Sequence, residues 1–299
     1  MQIVANGINL EVEDSGAAPA ADGRERPVVV LIMGLAMQLV AWPLPFVQAL
    51  VDAGYRVIRF DNRDIGLSRH FDDHGVPNVV WAALKLRLGL DVKARYTLTD
   101  MARDTLGVMD ALGVAKAHIV GVSMGGMIAQ RVALAAPERV VSLTSIMSTS
   151  GARGLPQASP RVIRALMSRP SSTAAQDIGD FYVKLLKVIG SPAFPVPEAE
   201  VRERANVAFT RNFHPQGIPR QMMAIMADTE RAAALQNIQV PTLVIHGTAD
   251  GLVPFACGQD TARRIPNARF VPVEGMGHDL PPGVVQRLLA SMLPHFQTA

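Results

Sequence analysis

Short apolar runs alternate with helical patterns along most of the chain, and this alternation constrains the fold more than any other feature. The run "PVVVLIM" (27–33) is apolar without interruption, which is typical of a strand covered on both faces. Similar runs lie at 55–61, 117–122, 140–147, 241–247 and 268–275. Strands that alternate with helices form parallel sheets. We therefore predict an α/β fold with a mostly parallel, doubly wound sheet.

Local turn and cap signals refine this prediction. The stretch "QIVANGINLEVED" (2–14) predicts an antiparallel hairpin that turns at Asn6 and Gly7, because Asn-Gly supplies the positive φ that tight hairpins need. Further along, a helix is expected to begin at a Thr99 cap and to end before Gly113.

Two segments interrupt the alternation. Residues 151–236 contain no strand pattern and several amphipathic helical pieces, and they are too long for a loop in a compact domain. We predict that they form a helical cap, or lid, inserted after strand 6, with residues 1–150 and 237–299 as the core. The second segment, "PNVVWAALKLRLGL" (77–90), fits a surface helix facing lipid or a small helix packing on the insertion. We favour packing, because most amphipathic helices pack on protein.

Composition excludes several classes of protein. The chain has 299 residues and a formal net charge of +3, with no recurrent basic face, so we expect no nucleic-acid partner. Its one cysteine, Cys257, rules out an internal disulfide and suits a reducing compartment such as the cytoplasm. The first residues do not read as a signal peptide, and no apolar stretch reaches the length of a membrane span, so we expect no stable membrane insertion.

The stretch "HIVGVSMGGMIAQ" (118–130) places a serine between a strand and a helix. Gly-x-Ser-x-Gly alone is a weak signal, but a sharp strand-to-helix turn needs small residues two before and two after its nucleophile. Gly121 and Gly125 meet that need. We predict that Ser123 is a nucleophile exposed at the carboxyl edge of the sheet, where open α/β sheets bind ligands.

A serine nucleophile needs a base and a group that orients the base. Among seven histidines, His278 in "EGMGHDLP" follows the last predicted strand and lies in a loop at the same sheet edge. Asp250 in "TADGLVP" follows the preceding strand, whereas the loop after strand 140–147 offers no carboxylate. Asp279 is adjacent to the histidine in sequence and cannot easily face its ring nitrogen. The predicted triad is Ser123, Asp250 and His278.

Two backbone N–H groups should bind the oxyanion. Met124, the residue after the nucleophile, supplies one. Leu35, in the loop after strand 27–33, is the expected second donor, and Gly34 would allow close approach.

With these motifs, the chain resembles the α/β-hydrolase-fold serine hydrolases over nearly its full length. The matching stretches are "GVSMGG" (121–126), "IHGTADGLVP" (245–254), "GMGHDLP" (275–281) and "DNRDIGLS" (61–68). The order Ser, Asp, His is the one this fold uses. Within the family, the chain is most similar to aclacinomycin methylesterase-like carboxylesterases. It departs from the common pattern at Met33, where histidine is usual, and at Asp64, where glycine is frequent and which we interpret as structural.

The resemblance implies hydrolysis of a carboxylic ester through an acyl-enzyme, without a metal or organic cofactor. We expect a small hydrophobic ester as substrate, in a pocket lined by Met37, Met223, Met226 and Met276, although core filling is the alternative for most methionines. Cofactor-free haloperoxidases, lactonases and carbon–carbon bond hydrolases share the triad, and a ligand-binding receptor could use the same fold. The sequence does not fix the oligomeric state, and a homodimer is one expectation.

Overall fold

The computed structural model describes residues 1–18, 23 and 25–299. Within that part, eight strands form one sheet in the order β1-β2-β4-β3-β5-β6-β7-β8. The strands are β1 Gln2–Ala5, β2 Ile8–Asp14, β3 Val28–Ile32, β4 Arg56–Phe60, β5 Ala117–Val122, β6 Val140–Ile146, β7 Thr242–Gly247 and β8 Arg269–Val273. Strands β3 to β8 are parallel to one another, and β2 runs antiparallel to β1 and β4. The predicted α/β architecture is confirmed.

Helices cover both faces of the sheet. The helices of the described residues are α1 Leu44–Asp52, α2 Val79–Arg87, α3 Leu98–Ala111, α4 Met124–Ala135, α5 Pro160–Met167, α6 Ala175–Ile189, α7 Glu198–Arg211, α8 Gly217–Met226, α9 Arg231–Ala234, α10 Phe255–Arg264 and α11 Pro282–Gln297. Side chains alternate across β3: Val30 and Ile32 join the core with α3 and α4, while Val29 and Leu31 join the core with α1 and α11. This double coverage explains the uninterrupted apolar run of β3.

The hairpin turn predicted at Asn6 and Gly7 is confirmed, but the predicted N-cap residue of α3 is wrong. Asn6 and Gly7 have φ of 49° and 75°, as a two-residue hairpin turn requires. Helix α3 is capped by Thr97, whose side chain accepts the N–H of Asp100 while the Asp100 carboxylate accepts the N–H of Thr97. Thr99 lies inside the first turn, because its position has no carboxylate three residues later to complete this reciprocal pair.

Residues 151–236, all of which the structure describes, contain helices α5 to α9 and no strand. Buried polar contacts attach this insertion to the core. Arg211 at the end of α7 donates to Asp61, and Arg220 on α8 forms a bidentate pair with Asp64. Because these contacts are to the loop after β4, the insertion is docked beside the carboxyl edge of the sheet.

The segment 77–90 forms helix α2, which packs against α8 of the insertion. Ala82 is buried, whereas Trp81, Leu84 and Leu88 are 53%, 44% and 64% exposed. The predicted packing on the insertion is confirmed, yet an apolar face of α2 remains uncovered. Among the described residues no helix is long and apolar enough to cross a bilayer.

Candidate active site

Ser123 lies at a strained turn between β5 and α4. Its φ of 55° and ψ of −122° are rare for a residue with a side chain. A Cβ at position 121 would lie 2.0 Å from the carbonyl oxygen of Gly125, and one at position 125 would lie 2.1 Å from that of Ile32. Only glycine fits at these two positions, so the spacing read from the sequence has a steric origin.

The structure brings Ser123, His278 and Asp250 together. The serine Oγ is 3.0 Å from His278 Nε2, and His278 Nδ1 is 2.7 Å from Asp250 Oδ2. Because a carboxylate only accepts, the Nδ1–H of the neutral ring donates to Asp250, and Nε2 is left to accept the serine proton. The arrangement can therefore remove a proton from the serine hydroxyl.

Asp250 is held by contacts that leave one oxygen for the histidine. Its Oδ1 accepts the N–H groups of Leu252 and Val253, at 2.9 and 2.8 Å. The His246 ring lies behind it, with Nε2 2.8 Å from the Val253 carbonyl and 3.6 Å from Asp250 Oδ2. Burial lowers the pKa of His246, so this ring is neutral at pH 7 and donates Nε2–H to the carbonyl. The sequence reasoning missed this support, although His246 stands four residues before Asp250.

The loop after β3 approaches the serine closely. A Cβ at Gly34 would be 3.1 Å from Ser123 Cβ and 3.7 Å from Ser123 Oγ. Leu35 follows Gly34 directly, and Met124 occupies the first position of α4, where a helix leaves its N–H without an acceptor of its own. Both predicted donors thus belong to backbone segments that adjoin the serine.

Two side chains that the sequence reasoning missed hold this loop. Asn62 donates to the carbonyl of Met33 at 2.9 Å. Gln221, a fully buried residue of α8, accepts the N–H of Ala36 at 3.1 Å and donates to the carbonyl of Arg63 at 2.8 Å. The insertion therefore fixes the backbone of the loop beside the serine.

The stretch "DNRDIGLS" (61–68), in which Asp61, Arg63, Gly66 and Ser68 form an Asp-x-Arg-x-x-Gly-x-Ser motif, supports the same region. Asp61 accepts the N–H groups of Leu39 and Leu67, and Ser68 donates to the Asp61 carbonyl. At Gly66 a Cβ would lie 2.1 Å from the Asp61 carboxylate. Among the described hydrogen bonds, none joins this motif to Ser123. The motif therefore acts on the site indirectly, through the backbone that it holds in place.

Asp64 has the structural role that we expected. Its φ is 68°, a conformation that favours glycine and explains why glycine is frequent there. Its buried carboxylate accepts from the Arg220 guanidinium at 2.7 and 2.8 Å. The departure from the common pattern thus provides a docking point for α8.

The four methionines expected in the pocket differ in their surroundings. Met37 is 37% exposed, and Met223 and Met226 are half-buried. Met276 is fully buried in the core beside α1 and α11, where it fills space, so the expectation of a pocket role gives way to the core-filling alternative. Two open surface grooves of about 880 and 610 Å³ lie along α7 and beside residues 66–73, and the triad lines neither.

One group of described residues could present three metal ligands. The ligand atoms of His70, Asp72 and His214 lie within 4.8 Å of one another. However, Arg220 Nη2 lies 3.0 Å from Asp72 Oδ1 and 3.3 Å from His214 Nε2, and the two imidazoles stack with an interplanar angle of 5°. A metal ion bound here would lie beside the positively charged Arg220 guanidinium, so these residues fit a metal poorly.

Comparisons with known proteins place the geometry in context. Residues 27–281 match the family model described as alpha/beta hydrolase fold. The chain is 30% identical over 291 residues to the rhodomycin D methylesterase DauP of Streptomyces sp. (strain C5), covering 91% of each chain. It is 31% identical over 278 residues to a putative carbamate hydrolase RutD of Caulobacter vibrioides, covering 91% of this chain and 89% of that protein. An enol-lactonase of Burkholderia xenovorans LB400 has a similar fold, with a TM-score of 0.72, 22% identity and full coverage of both chains.

Proposed function

The chain belongs to the alpha/beta hydrolase fold family, and on this premise we propose that it is a serine hydrolase that cleaves carboxylic esters. One observation carries the proposal: hydrogen bonds run from Ser123 Oγ through the His278 ring to Asp250. A hydroxyl activated by an oriented imidazole attacks acyl carbons. The similarity to proteins named methylesterases supports an ester as the substrate.

The mechanism has two halves that use the same base. Ser123 Oγ attacks the ester carbonyl while His278 Nε2 takes its proton, and the N–H groups of Leu35 and Met124 bind the oxyanion. Collapse of the resulting tetrahedral intermediate expels the alcohol, which receives the proton from His278, and leaves the acyl group on Ser123. His278 then activates a water molecule that hydrolyses the acyl-serine. Asp250 keeps Nδ1 protonated and stabilises the imidazolium throughout. These reaction steps need no metal or organic cofactor.

We propose that residues 151–236 act as a cap over the site. The support is that the insertion contacts the loops on both sides of Ser123: Gln221 holds the loop after β3, and Ser191 holds the loop of His278. Met223 and Met226 lie on the same helix as Gln221, and Met37 lies in the loop that it holds. These three side chains would line an adaptable apolar pocket for a hydrophobic acyl or alcohol part.

The substrate class that we propose is a methyl or small-alkyl ester of a bulky hydrophobic acid. The similarity to proteins named rhodomycin D methylesterases supports a methyl ester as the substrate. Purified protein assayed on aromatic methyl esters, p-nitrophenyl esters of graded acyl length, lactones and β-diketones would separate the rivals. We expect turnover of the aromatic methyl esters to exceed that of the other classes. Peroxide-dependent halogenation, carbon–carbon cleavage or lactone opening as the fastest reaction would assign a different chemistry to the same triad.

Removal of the nucleophile tests the reaction type. Ser123→Ala should lower kcat on p-nitrophenyl esters by about 10⁴-fold or more while the circular dichroism spectrum stays unchanged. Ser291→Ala, on α11, is the matched control and should keep full activity. Retained turnover in folded Ser123→Ala protein would refute the proposal, and tight ligand binding without turnover in the unaltered protein would indicate a receptor.

The proposal also covers the cellular location and the oligomeric state of the protein. We propose the cytoplasm, which suits the single buried Cys257, and a homodimer. Size-exclusion chromatography with light scattering at several protein concentrations measures the assembly directly. A single species at 32.1 kDa over the whole range would exclude the dimer.

A further inference from the structure

The loop that carries His278 is attached to the insertion by several hydrogen bonds and close contacts. We call residues 189–194, which begin at the last residue of α6, the clamp segment. Its Ile189 carbonyl accepts the N–H of His278 at 2.7 Å, and the Ala193 N–H donates to the Gly275 carbonyl at 3.2 Å. The backbone of the histidine itself is thus bonded to a residue of the insertion.

Ser191 makes the central contact of the clamp segment. This buried side chain accepts the N–H of Gly277 at 2.8 Å and donates its own proton to Asp279 Oδ1. It therefore bonds the residues on both sides of His278. A hydroxyl can donate and accept at once, which neither alanine nor cysteine does with comparable strength.

The clamp segment also fits the loop sterically. A Cβ at Gly277 would lie 2.2 Å from the Gly190 carbonyl oxygen, and one at Gly275 would lie 2.3 Å from the Ala193 side chain. At Gly283, in the first turn of α11, a Cβ would lie 2.4 Å from the Phe194 ring. The clamp segment therefore packs directly on residues 275–283, through one backbone carbonyl and two side chains, so a shift of the clamp segment must shift the loop.

We propose that Ser191 is a positioning residue for the reaction: from the insertion, it holds His278 Nε2 within hydrogen-bond distance of Ser123 Oγ. The kinetic test of this inference rests on the proposed function, because it measures the turnover of an ester. A misplacement of about 1 Å in a catalytic group can lower a rate by about 10²-fold. Loss of the Ser191 hydroxyl would free Gly277 and Asp279 together and let the imidazole move.

The test compares Ser191→Ala with Ser191→Thr, which restores the hydroxyl, and with Ser168→Ala, an exposed serine of the same insertion that bonds only to the carbonyl of Ala165. We expect Ser191→Ala to lower kcat by about 10- to 100-fold with little change in KM. Ser191→Thr should recover most of the rate, and Ser168→Ala should match the unaltered protein.

A spectroscopic measurement distinguishes failure of the clamp from failure of the proposed function. The proton shared between His278 Nδ1 and Asp250 gives a low-field NMR resonance, which Asp250→Asn identifies. Ser191→Ala should shift or broaden this resonance even if no ester is turned over. An unchanged resonance together with an unchanged kcat would overturn the proposal. If Ser191→Ala does not fold, Ser191→Cys replaces it under the same criteria.

A second, independent inference concerns the uncovered face of α2. Helix α2 and the residues around it (76–95, the α2 segment) expose several apolar side chains at 44–69%: Val76, Val80, Trp81, Leu84, Leu88 and Leu90. Trp81, Leu84 and Leu88 recur at helical spacing, so they share one face. Isolated exposed apolar residues are ordinary, but a contiguous set marks an interaction surface.

The charges of the α2 segment indicate its partner. Four cations and one carboxylate belong to it: Lys85, Arg87, Lys93, Arg95 and Asp91. An apolar helix face that carries tryptophan and is flanked by lysine and arginine is typical of peripheral binding to anionic bilayers. We infer that the α2 segment binds the surface of an anionic lipid bilayer without crossing it. Helix α2 packs on α8, which holds the loop beside Ser123. An enzyme bound to the bilayer through α2 would therefore have its active site close to hydrophobic esters dissolved in the lipid.

Vesicles of phosphatidylcholine alone and with phosphatidylglycerol test this inference. Of the two tryptophans, Trp42 is fully buried, so a blue shift of emission on vesicle addition reports Trp81. We expect the shift and co-sedimentation only with the anionic vesicles, both weakened by salt. Leu88→Glu should reduce the bound fraction about tenfold or more, whereas Leu44→Glu, 68% exposed on α1, should not.

Three outcomes would overturn the lipid assignment. Equal binding to both vesicle types would remove the role of the cations. Loss of binding in Leu166→Glu, on α5, but not in Leu88→Glu would place the lipid contact on α5. A concentration-dependent dimer that Leu88→Glu dissociates, without vesicle binding, would show that a second copy of the chain covers this face.

Discussion

Substitution of Ser123 by glycine should stabilise the protein relative to substitution by alanine. Ser123 has φ of 55° and ψ of −122°, a conformation that glycine adopts freely and that a Cβ disfavours. Strain of this kind costs about 1–3 kcal/mol. The surrounding contacts maintain it: the Ser123 N–H donates to Ile146, and Ser148 donates to the Ser123 carbonyl at 2.7 Å.

The expected difference in the free energy of unfolding follows from a comparison of Ser123→Gly with Ser123→Ala. Both substitutions remove the Oγ hydrogen bond to His278, so that loss cancels in the comparison. Glycine relieves about 1–3 kcal/mol of strain but costs about 0.5–1 kcal/mol through the greater entropy of the unfolded chain. The free energy of unfolding of Ser123→Gly should therefore exceed that of Ser123→Ala by about 1 kcal/mol.

Urea unfolding followed by circular dichroism measures the difference. Ser168, with an ordinary φ of −71°, is the control position. There the glycine variant should be less stable than the alanine variant by about 0.5–1 kcal/mol. If Ser123→Gly is less stable than Ser123→Ala by a similar amount, the turn holds no strain and the reasoning fails.

Three further predictions concern the acid, a buried histidine and a buried ion pair. Asp250→Asn should lower kcat by about 10⁴-fold with the fold intact, because the amide cannot hold the required tautomer; a loss under tenfold in steady-state kinetics would contradict this. Burial, and to a lesser extent His295, lowers the pKa of His118 to about 4, below the unfolded value of 6.5, so the unfolded chain binds the proton first. Stability should fall by about 3 kcal/mol as pH drops from about 6.5 to 4, and urea titrations should show a smaller fall in His118→Gln. Arg220→Met should destabilise the protein by about 3–5 kcal/mol, since it leaves Asp64 buried without its cation; a loss below 1 kcal/mol in the same titration would argue against the pair.

The sequence predicts the sheet and its helices well because side-chain periodicity carries that information. Strand β5 begins and ends where the pattern places it, and helix α4 begins directly after Ser123, since an apolar run and two obligatory glycines define the turn between them. The cap of α3 was misplaced by two residues. The choice between Thr97 and Thr99 depends on Asp100, and that reciprocal pair is readable from the sequence.

The predicted triad residues could be chosen because each follows a strand of one parallel sheet, and such strands end at a common edge. The contacts made by the insertion could not be predicted. Gln221 and Ala36 are 185 residues apart, and Ser191 and Gly277 are 86 apart. Which helix of the insertion meets which core loop depends on tertiary docking, and no local pattern of polar residues specifies it.

The acyl-enzyme itself provides the most direct test of the account. Protein quenched with acid during turnover of a p-nitrophenyl ester can be digested with trypsin and analysed by mass spectrometry. The peptide 117–131, between Lys116 and Arg131, contains Ser123 as its single serine. We predict that this peptide gains the mass of one acyl group and that Ser123→Ala protein shows none. An unmodified peptide during a measured burst, or an acyl group on another peptide, would contradict the assignment of Ser123 as the nucleophile.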